Sequence, residues 1–221
     1  MTFTPLRITA RLMGPIVVSD PPVHLDALLT MAVAKREGRP PVCAPIDVLR
    51  AMREDPIDLP LARSSCGRFY LATRMLGEPE AHQLRHVQRR FPVAQVIARG
   101  SAKRLARSAG EHKDFRAAIQ VAHVTEPTWY AIGDEGAVRE LLAWITGLGR
   151  RRAVGHGAVI SWAVEPCEPW SASFPVLDVE GRPLRNVPLD VPGLADGVDV
   201  RIGRVAPPYW LQVDEEEIAV G

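Results

Sequence analysis

Cysteine is scarce in this sequence, and long apolar runs are missing. The three cysteines, Cys43, Cys66 and Cys167, lie far apart and form neither a CxxC pair nor a disulfide framework. We therefore expect buried thiols in a reducing compartment. No window approaches the roughly 18 apolar residues of a membrane-spanning helix. Because the first residues also lack the basic-then-apolar order of a signal peptide, we expect a cytoplasmic protein with no membrane partner.

Net charge is small as well, but charge is unevenly distributed along the chain. The formal net charge is +1, whereas residues 63–116 hold twelve basic and four acidic side chains, and residues 160–221 hold four basic and eleven acidic ones. Such asymmetry is typical of a protein that binds a polyanion. The alternative is that the two regions neutralise each other within the fold.

Familiar catalytic and metal-binding motifs are missing too. The sequence shows no nucleophile elbow, no Ser-His-Asp constellation and no cluster of metal ligands. It also shows no convincing helix-turn-helix, since the basic region lacks two amphipathic helices joined by a short turn. We therefore expect no metal and no cofactor, and a DNA-binding regulator of that class is not favoured.

Hydrophobic periodicity predicts an α+β fold. Alternating apolar residues predict strands, which are expected at 6–12, 68–73, 117–124, 128–132 and 158–164. Apolar stripes predict one helix after Pro22 and a second that is capped by Asp134 and ends at Gly147. The two strand-helix-strand halves suggest paired ferredoxin-like units.

The remaining segments give weaker predictions. A short helix is expected near 47–53. Turn signals at Glu180-Gly181 and Asp196-Gly197 predict hairpins in the C-terminal part. The acidic run from Asp214 to Glu217 is expected to be a solvated tail.

The most basic segment runs from His82 to Arg116. Its cationic side chains are Arg85, Arg89, Arg90, Arg99, Lys103, Arg104, Arg107, Lys113 and Arg116. The acidic residues in this segment are Glu111 and Asp114 alone, and this excess of positive charge is larger than solubility requires. The segment also has little apolar content, so we interpret it as a helix or an extended arm that projects from the body.

A glycine-rich loop carries the clearest chemistry. Residues 147–159 read GLGRRRAVGHGAV, with four glycines around three consecutive arginines. Glycine permits close approach of a ligand to the main chain, exposed N–H groups form an anion site, and arginine matches phosphate geometry. The loop fits neither the P-loop nor the dinucleotide-binding pattern, because Val154 and Arg152 occupy positions that need glycine. The alternative is a tight turn with solvated arginines.

The loop, with the helix before it and the strand after it, resembles the glycine-rich loop of the RAMP superfamily of CRISPR proteins. The motifs HLDALL at 24–29 and DLPLAR at 58–63, with the Arg89-Arg90-Phe91 run, resemble the Cas-five-like subunit of type IV CRISPR effector complexes. This resemblance implies a ferredoxin-like (RRM-like) RAMP body over 1–165, with a basic arm or thumb at 82–116. The acidic part over 166–221 fits the family pattern poorly; we expect a β-rich extension packed on that body, and the alternative is that it docks a neighbouring protein.

The resemblance also implies a role. Such subunits grip the five-prime handle of the guide RNA (crRNA) and cap a filament of Cas-seven-like backbone subunits. They sit beside a large Cas-eight-like subunit that helps to recognise target DNA near its flanking motif, and a helicase recruited to the complex is a further candidate partner. The RNA-binding residues would be Gly147, Gly149, Arg150, Arg151, Arg152, Gly155, His156 and Gly157, with Arg7 and Arg11 of the first strand.

Some RAMP proteins cleave guide precursors, so the alternative is a metal-independent Cas-six-like endoribonuclease. Cleavage needs a proton-transfer group near the 2′-hydroxyl, for which histidine is the usual side chain. The candidates are His24, His82, His86, His112, His123 and His156. His156 is best placed, but its position between two glycines favours a role that depends on backbone space. We expect a binding protein without enzymatic activity.

Overall fold

The computed structural model describes residues 2–17, 22–38, 57–77, 79–89, 115–124, 126–150, 155–207, 209 and 215–220. In chain order the elements of these residues are β1 (Thr4–Leu12), β2 (Ile16–Val17), α1 (Leu25–Arg36), β3 (Ala81–Arg89), β4 (Phe115–His123), β5 (Thr128–Gly133), α2 (Glu135–Leu142), β6 (Val159–Pro166), β7 (Val187–Pro188), β8 (Asp199–Gly203) and β9 (Glu216–Val220). The chain is therefore α+β, as its periodicity predicts. The helix predicted near 47–53 lies outside the described residues.

The central sheet has the order β5-β1-β6, and its neighbouring strands are antiparallel. The segment 61–76 borders the outer edge of β5 through antiparallel bridges, including Ala72 to Ala131 and Leu76 to Thr128. With this segment as an edge, the order across the sheet is 61–76, β5, β1, β6, and each strand-helix-strand half contributes one helix. This arrangement is compatible with a ferredoxin-like fold. Both halves share this one sheet, so they form one unit rather than the two paired units that the sequence suggested.

The strand predicted at 68–73 is interrupted at Thr73. The carbonyl oxygen of Thr73 accepts from the amide of Leu25 at 3.2 Å, and its hydroxyl accepts from the amide of Tyr130 at 3.0 Å. The carbonyl of Thr73 thus points to the start of α1, and the hydroxyl of Thr73 takes the place of that carbonyl in the contact with Tyr130 of β5. Inside the predicted range the amide of Ala72 turns back to the carbonyl of Tyr70 at 2.9 Å, so the segment makes isolated bridges instead of a regular strand.

The main core lies between the central sheet and the two helices. Leu6, Ile8 and Ala10 of β1 are almost fully buried, while the intervening Arg7 and Arg11 are exposed on the other face. The predicted helical stripes are buried against this sheet, and their members are Leu25, Leu28, Leu29, Ala32, Val138, Leu141, Leu142 and Ile145. The alternation in β1 and both helical stripes are therefore confirmed.

Asp134 caps α2 as predicted, since its Oδ1 accepts from the amide of Ala137 at 2.9 Å. The helix ends at Leu142 rather than at Gly147. The amide of Ile145 bonds to the carbonyl of Leu142 at 2.9 Å, which tightens the chain into a turn. This turn directs the carbonyl oxygen of Ile145 toward the indole N–H of Trp162, which donates to it at 3.0 Å.

The segment predicted as a basic arm starts and finishes in paired strands. β3 and β4 are antiparallel from the Ala81–His123 pair to the Arg89–Phe115 pair, and β2 pairs with the other edge of β4. The described part of this segment is extended rather than helical, and its role as a projecting arm stays a prediction. Residues 90–114 lie outside the described residues.

The C-terminal part forms a third sheet with the order β7-β9-β8 around a second apolar cluster. Glu216 and Glu217 belong to β9, the central strand of this sheet, so the prediction of a solvated tail is wrong for them. Gly181 and Gly197 both have positive φ, as expected for turns. The turn at Gly197 does not join a hairpin of neighbouring strands, because β7 and β8 flank β9 on opposite sides.

A buried ion pair fastens this third sheet to the body. Arg185 donates to Asp26 of α1 at 3.1 Å, and their side chains are 0% and 1% exposed. The hydroxyl of Tyr209 donates to the same carboxylate at 2.8 Å. Arg185 also donates to the carbonyl oxygens of Tyr70 and Ala72. The guanidinium is therefore the shared centre of α1, the segment 61–76 and the C-terminal part.

The prediction of buried thiols is wrong for the two cysteines that the structure describes. Cys66 is exposed and Cys167 is half-buried, while Cys43 lies outside the described residues. Cys66 occupies a tight turn in which the amide of Gly67 donates to the carbonyl of Ser64 at 2.8 Å. A side chain at the tip of such a turn faces solvent.

Candidate nucleic-acid interface

The two ends of the glycine-rich loop are fixed to each other and to the chain after β1. Gly147 and Ala158 form an antiparallel bridge. The amide of Leu148 donates to the carbonyl of Gly157 at 2.8 Å, and the amide of Gly157 donates to the carbonyl of Pro15 at 2.9 Å. Leu148 itself is buried. The base of the loop is therefore a rigid part of the body.

Glycine is required at two positions of this base. Gly149 has φ 70°, and a Cβ atom there would lie 2.8 Å from the carbonyl oxygen of Val17. Gly157 has φ 64°, and a Cβ atom there would overlap the carbonyl oxygen of Leu148. Only glycine combines this conformation with such close backbone contacts.

Val17 connects the two basic regions that the sequence singled out. It forms an antiparallel bridge with Arg150 of the loop, and it pairs with Val121 of β4 beside the Ile16–Ala122 pair. Because β4 pairs with β3 along its length, the loop and the described part of the basic arm belong to one hydrogen-bonded surface. We call this the loop–hairpin surface.

Basic side chains on the loop–hairpin surface are exposed. Arg150 and Arg85 are both exposed, as are His82 and His86 of β3. In the described ranges neither arginine forms an ion pair with a carboxylate, and Arg85 bonds only the neutral amide of Gln83 at 3.0 Å. Cations that have no carboxylate partner among the described residues suit a polyanionic ligand.

Arg7 and Arg11 occupy the face of β1 that points away from the core. Arg7 is flanked by Tyr130 and Glu165 in the register of the sheet, whereas Arg11 is paired with Ser161. Arg11 also lies nearer to the chain segment at Pro15 that holds the loop. It is therefore the better placed of the two for the same ligand.

The other residues of the predicted site lie outside the described part of the chain. For Arg89 and Arg116 the structure describes the backbone alone. The undescribed members are Arg151, Arg152, Arg90, Arg99, Lys103, Arg104, Arg107 and Lys113. For all of them the predicted role stays a prediction.

His156 is buried within the base of the loop, with 7% of its surface exposed. This burial favours packing between Gly155 and Gly157 over direct contact with RNA. His24, another catalytic candidate of the sequence, is 1% exposed and stacks on Tyr209 with ring centroids 4.1 Å apart. Neither imidazole lies open to a ligand.

Trp144 is a residue of this region that the sequence reasoning missed. It lies between the end of α2 and Gly147, and it is 47% exposed. The signal was present, because Trp144 falls outside the apolar stripe of α2 and so is directed away from the core. The Nζ of Lys35 donates to its carbonyl oxygen at 3.2 Å, which places a cation beside it.

Neutralisation between the basic middle and the acidic C-terminal part occurs at Arg68. Its guanidinium contacts Glu216, and it lies 3.4 Å from Asp190. The hydrogen bond to Glu216 raises the pKa of Arg68. Arg85 has no such partner within the described residues. Neutralisation within the fold therefore explains part of the charge asymmetry and leaves the loop–hairpin surface basic.

The α+β body and its fixed glycine-rich loop belong to a RAMP-like protein of the type IV CRISPR class. Residues 79–220 match the family model described as CRISPR type IV associated protein Csf3, and the chain belongs to that family. The matched range contains the loop and confirms the resemblance drawn from it. It also contains most of the acidic C-terminal part, to which that resemblance did not extend.

Family membership indicates a subunit of a type IV CRISPR effector, and hence a place in a multi-subunit complex. The search of curated proteins gave no match to the chain.

Among the described residues, neither α1 nor α2 has the length and apolar character needed to cross a bilayer.

Proposed function

We propose that this chain binds guide RNA as a non-catalytic subunit of its effector complex. The observation that carries the proposal is the bridge between Val17 and Arg150. It joins the glycine-rich loop to β2, and β2 joins the described strands of the basic arm. Two segments that the sequence marks independently as anion-binding thus become neighbours on one surface.

The chemistry of this surface suits a phosphate backbone. Gly149 and Gly157 let the loop base pack closely against Val17 and Leu148, and Arg150, next to Gly149, presents an exposed guanidinium. Arginine and backbone N–H groups bind phosphate without reading bases. In this proposal target specificity comes from base pairing of the guide, while the protein recognises backbone and shape.

The fold supports a RAMP body with insertions. We assign the ferredoxin-like RAMP body to 1–165 and the thumb to 82–116, of which β3 and the first residues of β4 form the base. The β-rich extension over 166–221 packs on this body, in keeping with a second apolar cluster that contains Val187 and Ile218. The buried pair of Arg185 and Asp26 supports a fixed attachment.

The burial of His156 supports the binding proposal over the endoribonuclease alternative. General acid–base catalysis requires a side chain within hydrogen-bond reach of the reacting proton. His156 is packed inside the loop base, while Arg150 on the same loop is exposed. The loop therefore presents to its ligand a cation that cannot deprotonate and keeps its imidazole inside.

The assembly that follows from this proposal is a cytoplasmic ribonucleoprotein. The chain grips the five-prime handle of the guide RNA and caps a filament of Cas-seven-like subunits. A large Cas-eight-like subunit lies beside it, target DNA binds near the flanking motif, and a helicase is recruited to the complex. The thumb and the exposed face of β1, which carries Arg11, are the surfaces that the proposal assigns to nucleic acid.

Two assays test this proposal together. The chain is expressed with its genomic neighbours, and RNA that stays bound through a high-salt wash is sequenced. The purified chain is also incubated with unprocessed repeat RNA in the absence of metal. We expect guide RNA with a uniform five-prime end and no cleavage by the chain alone. Site-specific cleavage that disappears in His156→Ala would replace the proposal by the endoribonuclease alternative.

A further inference from the structure

We propose a second ligand site in this protein, a cleft that binds a free nucleotide where the C-terminal sheet meets the body. The cleft has a volume of about 440 Å³, within the range of small-molecule sites. Its walls come from β8, β9, Pro22 before α1 and Arg74 of the segment 61–76. These elements differ from those of the loop–hairpin surface, so the inference does not depend on the proposed RNA site.

Arg74 is the residue that points to a ligand. Its backbone is fixed, because its amide donates to the carbonyl of Leu184 at 2.8 Å and it bridges His24. Its Nε is buried and has no hydrogen-bond partner among the described residues. No carboxylate of those residues forms an ion pair with it. The protein thus holds a half-buried cation that a bound anion would satisfy.

Two further arginines line the same cleft. Arg201 lies on β8 and Arg204 follows that strand directly. Arg201 makes one long contact, 3.7 Å to Asp199, and both side chains are mostly exposed. A surface pair of this kind is weak and can be displaced by a ligand. Three guanidinium groups on one cleft favour phosphate, which offers more acceptor oxygens than a single carboxylate.

The other walls favour a nucleotide over inorganic phosphate. Asp199 and Glu215 line the cleft beside the arginines, and their carboxylates can accept hydrogen bonds from ribose hydroxyls or a base amino group. Val220 of β9 is half-buried and adds apolar surface to one wall, against which the flat face of a base can lie. Cations, acceptors and an apolar surface in one cleft match the three parts of a nucleotide.

The test is calorimetric titration of the purified chain with AMP, ATP, adenosine, inorganic phosphate and a short single-stranded oligonucleotide. We expect saturable binding of AMP or ATP, weaker binding of phosphate and little binding of adenosine. Arg74→Met should weaken nucleotide binding by about 10- to 100-fold, the loss expected for a hydrogen bond to a charged group. Arg182→Met is the matched control, since Arg182 is exposed and its ion pair among the described residues is the one with Glu180.

Thermal unfolding of the same variants separates loss of the ligand from loss of the fold. Without nucleotide, Arg74→Met should unfold at the same or a higher temperature than the parent, because it removes an unpaired half-buried charge. Added nucleotide should raise the unfolding temperature of the parent and of Arg182→Met, but not that of Arg74→Met. Equal affinity in Arg74→Met, or no saturable nucleotide binding by the parent, would overturn the proposal. Binding of the oligonucleotide alone would also overturn it.

Discussion

Val17 and Arg150 face each other in an antiparallel bridge, although both helices and the strands β3, β4 and β5 lie between them in the sequence. Through the pairing of Val17 with Val121, this bridge makes neighbours of the glycine-rich loop and the β3–β4 pair. A ligand that contacts Arg150 can therefore contact Arg85 as well, if it is as long as a nucleic-acid strand.

Gly155 and Gly157 of the loop both have positive φ, but they should differ in their tolerance of alanine. Both substitutions strain the backbone by about 1–2 kcal/mol. At Gly157 the new Cβ atom would also overlap the carbonyl of Leu148, whereas at Gly155 no atom lies within 4 Å of it. We expect Gly157→Ala to lower the unfolding temperature more than Gly155→Ala, which serves as the control. Equal shifts in the two variants would contradict the packed loop base.

The loop base and the helices are the parts that the sequence could predict. Alternation in β1 and the stripes of α1 and α2 specify which faces are buried, and Asp134 specifies where α2 begins. These features depend on local periodicity, which a sequence displays directly. Three of the four loop glycines, Gly149, Gly155 and Gly157, likewise report a local backbone requirement, since each has positive φ.

The features that the sequence could not predict depend on contacts between distant residues. Thr73 interrupts a strand because it bonds to Leu25 and Tyr130, and β9 is a strand because it fits between β7 and β8. Nothing in the acidic run at 214–217, whose last two residues begin β9, indicates that pairing. The bridge of Val17 to Arg150 is equally invisible, since β2 is only two residues long.

The ion pair of Asp26 and Arg185 should be essential to the fold. Asp26→Ala leaves a fully buried guanidinium without its counter-charge, which typically costs about 3–5 kcal/mol. Urea denaturation should show this loss in the free energy of unfolding. Glu180→Ala, which breaks the exposed pair with Arg182, is the control and should cost at most about 1 kcal/mol. A similar small cost for Asp26→Ala would contradict the shared role of Arg185.

His24 should make the protein less stable in mild acid. Burial, followed by the charges of Arg185 and Arg74, holds the pKa of His24 well below the ordinary value of 6.5. The unfolded chain therefore takes up a proton below that pH while the folded chain does not, so the free energy of unfolding falls as pH falls. A drop to a pH of about 5.5 should cost about 1 kcal/mol through this group.

The variant that checks this pH effect is His24→Phe, which keeps an aromatic ring against Tyr209. Its free energy of unfolding should lose the His24 part of the decline below pH 6.5. His82→Phe is the control, because His82 is exposed on β3, and it should keep the decline that His24→Phe removes. An unchanged profile in His24→Phe would show that another group causes the decline.

Trp144 should stack on a base of the bound RNA. Stacking of a base on an aromatic side chain is worth about 1–3 kcal/mol, so Trp144→Ala should weaken RNA binding by about 5- to 100-fold. The salt dependence should stay unchanged, since no phosphate contact is lost. Phe3→Ala is the control, because Phe3 is 45% exposed at the far end of β1 from the loop. Equal effects in both variants would contradict the stacking role.

The salt dependence of RNA affinity tests the central claim most directly. Single-stranded guide RNA is titrated at several salt concentrations with the parent, Arg150→Ala, Arg85→Ala and the double variant, and with Arg182→Ala as the control. Each phosphate contact adds about 0.7 to the slope of log affinity against log salt. If both arginines contact one RNA strand, each single variant should lose about 0.7 of the slope and the double variant about 1.4. A double variant with the affinity and slope of Arg182→Ala would show that RNA does not bind the loop–hairpin surface.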